Sequence, residues 1–505
     1  MFVRIALAAA LFSTLLACKS AEREAPPPPV AQPAAQEGLT VLFTADLWGQ
    51  LEPCGCSADM RGGLDRAAAY VKERRAAGPT LLVDAGDAWF DALHYEPRNV
   101  PQADRRARAV ARSLAAMGVD AKAFFERDRV LPVEGFPEGR ELRGPKVMEA
   151  GGVRLGLVPV DATADGWEAA LAGGVAAARD QGAQVVAALV HAPRPRVLAL
   201  SGAAAQAGAD FVVGSHIDAI AEGEEARMVE AEVPVFFTQA RGQSLLEIRL
   251  VRRGEGPLQI AGNPAERERE IEALEERIRG YEQRIVALPK GADAAPFRAK
   301  VEELQARRRA LAEATVEPPA TGNYLAWKFV PVTEDRASDP AVKQILADYD
   351  RDVAEANLAW AKANPRPCPT AAPGEASFVG GAVCAGCHPA AQAFWQETRH
   401  AHAWQTLVSV NKQYDLSCIG CHVTGWEKPG GACDVARTEG RENVTCESCH
   451  GPGSLHAAAP AQAKLPAAVP ESTCVGCHTP ENSTAFDHAT YRTKIVGPGH
   501  GAKTE

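Results

Sequence analysis

Four copies of one five-residue pattern in the last quarter of the chain limit what it can fold into. They are Cys384-Ala-Gly-Cys387-His388, Cys418-Ile-Gly-Cys421-His422, Cys446-Glu-Ser-Cys449-His450 and Cys474-Val-Gly-Cys477-His478. C-x-x-C-H is the signature of covalent haem attachment: two thiols add to the vinyl groups, and the adjacent histidine becomes the proximal iron ligand. Paired C-x-x-C units could instead build disulfides or a tetrahedral Cys₄ zinc site. Zinc, however, has no need of a histidine directly after every second cysteine, and here the pattern holds four times. The reading is four c-type haems on Cys384/Cys387, Cys418/Cys421, Cys446/Cys449 and Cys474/Cys477, with His388, His422, His450 and His478 as proximal ligands.

The distal side follows from counting ligands. All five methionines lie at or before Met228, so none in the haem region can be axial. The region holds five further histidines, His400, His402, His456, His488 and His500, as candidates for four distal positions. That supply favours bis-histidine ligation, with one open iron as the alternative, and relatively low potentials. Macrocycles would also replace much of a protein core, with Phe394, Trp395, Trp404 and Trp426 packed against them.

At the other end, a lone Arg4 precedes the apolar run "IALAAALFSTLLA", which has the layout of a signal peptide over 1–17 and is too short to span a membrane. "LLAC" resembles the bacterial lipobox, which implies lipidation at Cys18; an ordinary secretory signal cut nearby is the alternative. Both place the protein outside the cytoplasm. The Pro/Ala-rich segment 18–37 reads as a tether. The expected location is that of an exported bacterial lipoprotein, periplasm-facing or anchored in the outer membrane. The net charge of −10 gives no reason to expect nucleic acid.

Between these ends, short apolar strands alternate with amphipathic helices, for example "LTVLFTA", "LDRAAAYVKERRAA" and "TLLVDAG". The pattern predicts an α/β layered domain over 38–262 and 318–363. The charged, heptad-like stretches within 263–317 predict an inserted antiparallel helical hairpin with a solvated face. Residues 364–377 read as a linker and 378–505 as a mainly α or irregular haem module.

Two family resemblances bear on these regions. The stretches "FVGGAVCAGCHPAAQAFWQETRHAHAW", "CIGCHVTGWEKPGG", "VTCESCHGPGSLH" and "CVGCHTPENSTAFDHATYRTKI" resemble the tetrahaem cytochrome c family of nitrogen-cycle bacteria. That resemblance implies closely packed haems acting as an electron wire, and it favours His456 and His400, with His402 next, as distal ligands. "FTADLWGQLEP", "LLVDAGDAWF", "MGVDAKAFFERD", "ALVHA" and "FVVGSHID" resemble the metallophosphatase domain of bacterial 5′-nucleotidases, which implies two metal ions at the strand ends. Asp46, Asp87, His191 and His216 stand at its ligand positions. Trp48 replaces a family histidine, Glu126-Arg127 replaces Asn-His, and Asp218 replaces the second histidine of His-x-His. Two-metal phosphoester hydrolysis is therefore expected to be lost. The remaining four residues are either a vestigial one-metal site or polar remnants.

Cys54-Gly55-Cys56 would lie beside that cleft. "EPCGC" resembles a branch of exported proteins in which one of the two cysteine positions can be selenocysteine, which implies redox chemistry. A disulfide between residues two apart is tight and labile; a static disulfide or a soft-metal pair is the alternative. Of thirteen cysteines, Cys368 and Cys433 remain, and export suggests a disulfide between them.

The sequence thus predicts an exported multihaem electron-transfer protein with a degenerate metallophosphatase-like domain. Its expected partners are redox donor and acceptor proteins or a small redox substrate, and the membrane through the anchor. The alternatives are a redox enzyme using Cys54/Cys56 or an open haem iron, and a phosphohydrolase with an attached cytochrome.

Overall fold

Residue patterns in the N-terminal half dictate layers. In β1 (Leu39–Thr44), Leu39, Val41 and Phe43 point to one face and Leu42 to the other, and all are fully buried. A strand covered on both sides reads as a continuous apolar run, as "LTVLF" does. The computed structural model describes residues 37–53, 61–215, 226–261, 264–287, 294–313, 319–479, 482–483 and 486–500. Cys18, Cys54, Cys56 and His216 lie outside the described residues.

The remaining strands are β2 (Thr80–Asp84), β3 (Ala121–Ala123), β4 (Glu141–Leu142), β5 (Lys146–Ala150), β6 (Val153–Asp161), β7 (Val185–His191), β8 (Phe211–Ser215), β9 (Arg227–Val229), β10 (Val235–Phe237), β11 (Ser244–Val251), β12 (Leu258–Ala261) and β13 (Asn323–Pro331). They form two sheets, in the orders β12-β13-β11-β1-β2-β3-β4 and β5-β6-β7-β8-β10-β9. One apolar core lies between the sheets, joining Val41, Phe43 and Val83 to Leu155, Leu189 and Phe211.

Helices cover the outer faces. The first sheet is covered by α1 (Leu64–Ala77), α2 (Val100–Ala116) and α8 (Pro340–Ala363), through Val71, Val110 and Val353. The second is covered by α3 (Trp167–Asp180), α4 (Arg194–Ala199) and α5 (Ser201–Ala207). The α/β layered fold expected from the sequence is therefore present, as four layers in the order helix, sheet, sheet, helix.

The charged stretches form α6 (Pro264–Ala287) and α7 (Ala295–Glu313). Leu274, Ile278, Val301 and Leu304 make their seam, and the pairs Glu270–Arg307 and Glu275–Arg308 set an antiparallel register.

Beyond α8 the chain has short helices and irregular turns: α9 (Gly381–Ala385), α10 (Pro389–Gln396), α11 (Ala403–Ser409), α12 (Ile419–His422), α13 (Cys446–His450), α14 (Ser454–Ala458), α15 (Glu471–Cys474) and α16 (His488–Arg492). Cys368 and Cys433 form a disulfide with Cα atoms 5.3 Å apart, tying the segment after α8 to this module. No helix among the described residues is long and apolar enough to cross a membrane.

Candidate haem sites and the neighbouring cleft

Each five-residue motif is built on roughly one helical turn. The His388 and His478 amides donate to the carbonyls of Cys384 and Cys474, both at 2.9 Å, and α13 spans all of Cys446–His450. In such a turn, residues three and four apart share a face, so both thiols and the imidazole emerge on one side.

Several imidazoles are held through one nitrogen. Nδ1 of His422 lies 2.6 Å from the carbonyl of Ala403, that of His450 lies 2.8 Å from the carbonyl of Pro466, and that of His456 lies 2.7 Å from the carbonyl of Ala463. A carbonyl only accepts, so Nδ1 carries the proton and Nε2 keeps its lone pair for a metal. Nδ1 of His478 contacts the Ser483 hydroxyl at 3.1 Å.

Two pairs of rings face one another: His388 with His456, centroids 6.2 Å apart, and His400 with His478, 6.3 Å apart. The structure thus brings His456 to His388 and His400 to His478. His402 is exposed, and His500 lies against Phe394 instead. Ring contacts among the described residues place no histidine opposite His422 or His450 and pair no ring with His488.

Side-chain contacts join the second and third motifs: the Thr424 hydroxyl lies 2.9 Å from that of Thr445 and 3.1 Å from that of Ser448. Glu447, inside the third motif and 2% exposed, accepts from the amides of Val379, Gly380 and Gly453, which fixes the third motif against the start of the first.

The cleft of the layered domain lies at the carboxyl ends of β1, β2, β7 and β8, where open α/β sheets place their sites. Asp46, Asp87 and His191 are fully buried there. The Ser215 hydroxyl donates to Oδ1 of Asp46 at 2.9 Å, and Nδ1 of His191 stands 3.2 Å from Oδ2 of Asp87. Burial pushes the Asp87 carboxyl up to about 6. Burial alone would lower His191, but the adjacent Asp87 carboxylate holds it above the usual histidine range.

Phe125 stacks on the His191 ring at 4.7 Å, while Arg127 and Arg241 lie over the Trp48 ring at 5.3 and 5.8 Å. Asp46, Trp48, Asp87 and Arg241 all have positive φ, a strained setting for non-glycine residues that clusters at functional sites. Among the described residues, no three His, Cys, Asp or Glu are grouped so as to hold a metal ion.

Sequence reasoning missed the polar supports: Glu447, the buried Lys122 between Asp84 (2.9 Å) and Asp128 (3.0 Å), and the side chains joining α2 to the second motif. A carboxylate inside a C-x-x-C turn and a lysine on a three-residue buried strand were the available signals.

These motif turns and neighbouring imidazoles, carried beside a layered α/β domain, are similar to those of multihaem c-type cytochromes. Residues 383–451 match the sequence family described as Cytochrome c554 and c-prime. The chain is similar to cytochrome c-554 of Nitrosomonas europaea, 35% identical over 94 residues, which is 16% of this chain and 40% of that protein. It thus spans well under half the length of this relative.

The chain is also similar to two solved structures from Thermus thermophilus. One is sulfate thiohydrolase SoxB (16% identity, 63% of this chain and 61% of that one, TM-score 0.39) and the other a 5′-nucleotidase precursor (15%, 63% and 59%, TM-score 0.37).

The c-type haem implied by the family fits the residues present. The eight motif thiols would hold it, and the neighbouring rings of His388 with His456 and of His400 with His478 would be available to its iron. Val383, Val408, Val410, Leu455 and Val475 are exposed large apolar side chains in the same module, surface that a macrocycle would cover.

Proposed function

We propose that this chain is an exported, lipid-anchored electron-transfer protein carrying four c-type haems, with a layered domain that has lost phosphoesterase chemistry. The observation that carries the reading is the nearness of His456 to His388 and of His400 to His478, with ring centroids 6.2 and 6.3 Å apart. When bound, each haem supplies a one-electron Fe(III)/Fe(II) couple. The chain's own residues do the rest. Eight cysteines fix the macrocycles, the carbonyls of Ala403, Pro466 and Ala463 hold ring tautomers, and Glu447 keeps the first and third motifs adjacent.

The cytochrome resemblance supports export and redox protein partners. The partition into a leader (1–17), tether (18–37), layered domain (38–262 and 318–363), hairpin (263–317), linker (364–377) and haem module (378–505) belongs to the same reading, as does lipidation at Cys18. A second reading, reduction of a small substrate at an open iron, is favoured by the lack of a histidine facing His422 or His450 among the described residues.

Mass spectrometry of the natively exported protein tests the main reading. Four haem adducts on the four motif peptides and a diacylglyceryl group on Cys18 are expected. A mass without the haem adducts overturns it, and Mn²⁺-dependent nucleotide hydrolysis would restore the phosphohydrolase alternative.

A further inference from the structure

The four motifs do not stand alike toward the layered domain. Contacts from that domain converge on residues 412–427, around the second motif. Lys412 pairs with Glu52 at 2.6 Å and Asp350 at 3.4 Å, and Arg98 pairs with Glu427. At the centre is Gln102, on α2 and 4% exposed. Its Nε2 donates to Oδ1 of Asp415 (2.6 Å) and to the Ser417 hydroxyl (3.0 Å). Its Oε1 accepts from the Leu416 amide (3.0 Å) and from Nδ2 of Asn357 on α8 (2.6 Å).

A glutamine amide has two donors and two lone pairs, and here all four are used. Three of the four go to the residues directly before Cys418. The chain then passes the restraint forward: the carbonyl of Asp415 accepts from the amides of Cys418 (3.1 Å) and Ile419 (3.0 Å). Ile419 is fully buried in a cluster with Ala361 of α8, and His422, at the end of the same turn, is oriented by Ala403.

We propose that the layered domain is a built-in part of the electron-transfer unit, and that Gln102 is a positioning residue for the haem held by Cys418, Cys421 and His422. Glu447 supports the first and third motifs from within the module. The second motif is in addition seated on another domain, so changes at α2 reach the haem held there. Geometry of attachment, axial-ligand orientation and burial are the levers by which a protein sets haem potential. This inference rests on the four-haem reading above.

The test is spectroelectrochemical titration of the full-length holoprotein carrying Gln102→Leu, with haem-peptide mass spectrometry on the same samples. One of four one-electron components is expected to move by at least threefold in its oxidised-to-reduced ratio at fixed potential, tenfold being about 59 mV. The other three should hold. The double variant Gln102→Glu, Asp415→Asn exchanges carboxylate and amide across the same contact and should return that component toward its original position.

Four unchanged components in a folded variant, four that move together, or an unrescued shift would overturn the inference. Should Gln102→Leu fail to fold, Asn357→Ala, which removes a single partner of the amide, gives the same reading at smaller size. Absence of haem from the Cys418–His422 peptide in the unmutated protein would instead remove the four-haem reading.

Discussion

Replacing Glu447 by glutamine should loosen the haem module by an amount that can be worked from its contacts. Oε1 of Glu447 accepts from Val379 (2.9 Å) and Gly453 (2.7 Å), and Oε2 accepts from Gly380 (2.6 Å) and Val379 (3.1 Å). A glutamine keeps one oxygen. Whichever way its amide turns, an NH₂ group confronts a buried backbone N–H. The lost charge-assisted bond is worth about 1.5–3 kcal/mol and the orphaned donor about 1–3 kcal/mol. Glutamine avoids burying a charge, which returns part of this.

A net loss of about 2–4 kcal/mol remains. The protein has more than one cooperative unit, so the assay must follow the module alone: guanidinium unfolding read by circular dichroism in the haem bands. With a slope of roughly 2–6 kcal/mol/M, the midpoint should fall by about 0.3–2 M. A midpoint within about 0.2 M of the unmutated protein would refute the clamp role.

Three further outcomes are expected. His456→Ala should convert one haem of four to high spin and raise its potential, as seen by electron paramagnetic resonance, while His402→Ala leaves the spectrum unchanged. Lys122→Met strands Asp84 and Asp128 without their buried partner. It should cost about 3–5 kcal/mol, seen as a fall of roughly 10 °C in the calorimetric transition of the layered domain. Burial, partly offset by Lys412, pushes the Asp350 carboxyl up to about 6. Its folded value therefore lies above the unfolded value near 3.9, and stability falls as pH rises from about 4 to 6. Asp350→Asn should remove that loss, giving about 1–2 kcal/mol at pH 7 and nothing below pH 4, as measured by denaturant midpoints across pH.

What could be read from the sequence was whatever a short window encodes. The alternation in "LTVLF" and "TLLVD" is visible because a doubly covered strand must be apolar throughout. The C-x-x-C-H turns are visible because attachment chemistry needs three side chains within five residues. His456 and His400 were favoured only by likeness to a family pattern, and their assignment to His388 and His478 needed three-dimensional contacts. Gln102 carried no signal at all. It is one polar residue on an amphipathic helix, and its partner Asp415 lies 313 residues away. Lys122 was not singled out, since its partner Asp84 lies 38 positions before it.

The retained cleft architecture has a physical use that does not depend on metal. Asp46, Trp48 and Asp87 hold left-handed conformations that cost about 1–3 kcal/mol each, and such strain persists only where the surroundings over-determine it. Here they do. The amides of Asp46, Trp48 and Gly49 donate to the carbonyls of Gly86, Asp87 and Ala88, stitching the loop after β1 to the loop after β2. Asp128 accepts from the amides of Asp87, Ala88 and Trp89, and is itself neutralised by Lys122.

The edge so stiffened carries Glu52 at one end and Asp91 at the other. Glu52 pairs with Lys412, and Asp91 pairs with Arg106 at 2.8 Å, whose other arm reaches the Ser417 hydroxyl at 3.4 Å. These loops thus meet the segment leading into Cys418. A rigid support is what a haem held on that segment would require, because its potential follows ligand geometry and burial.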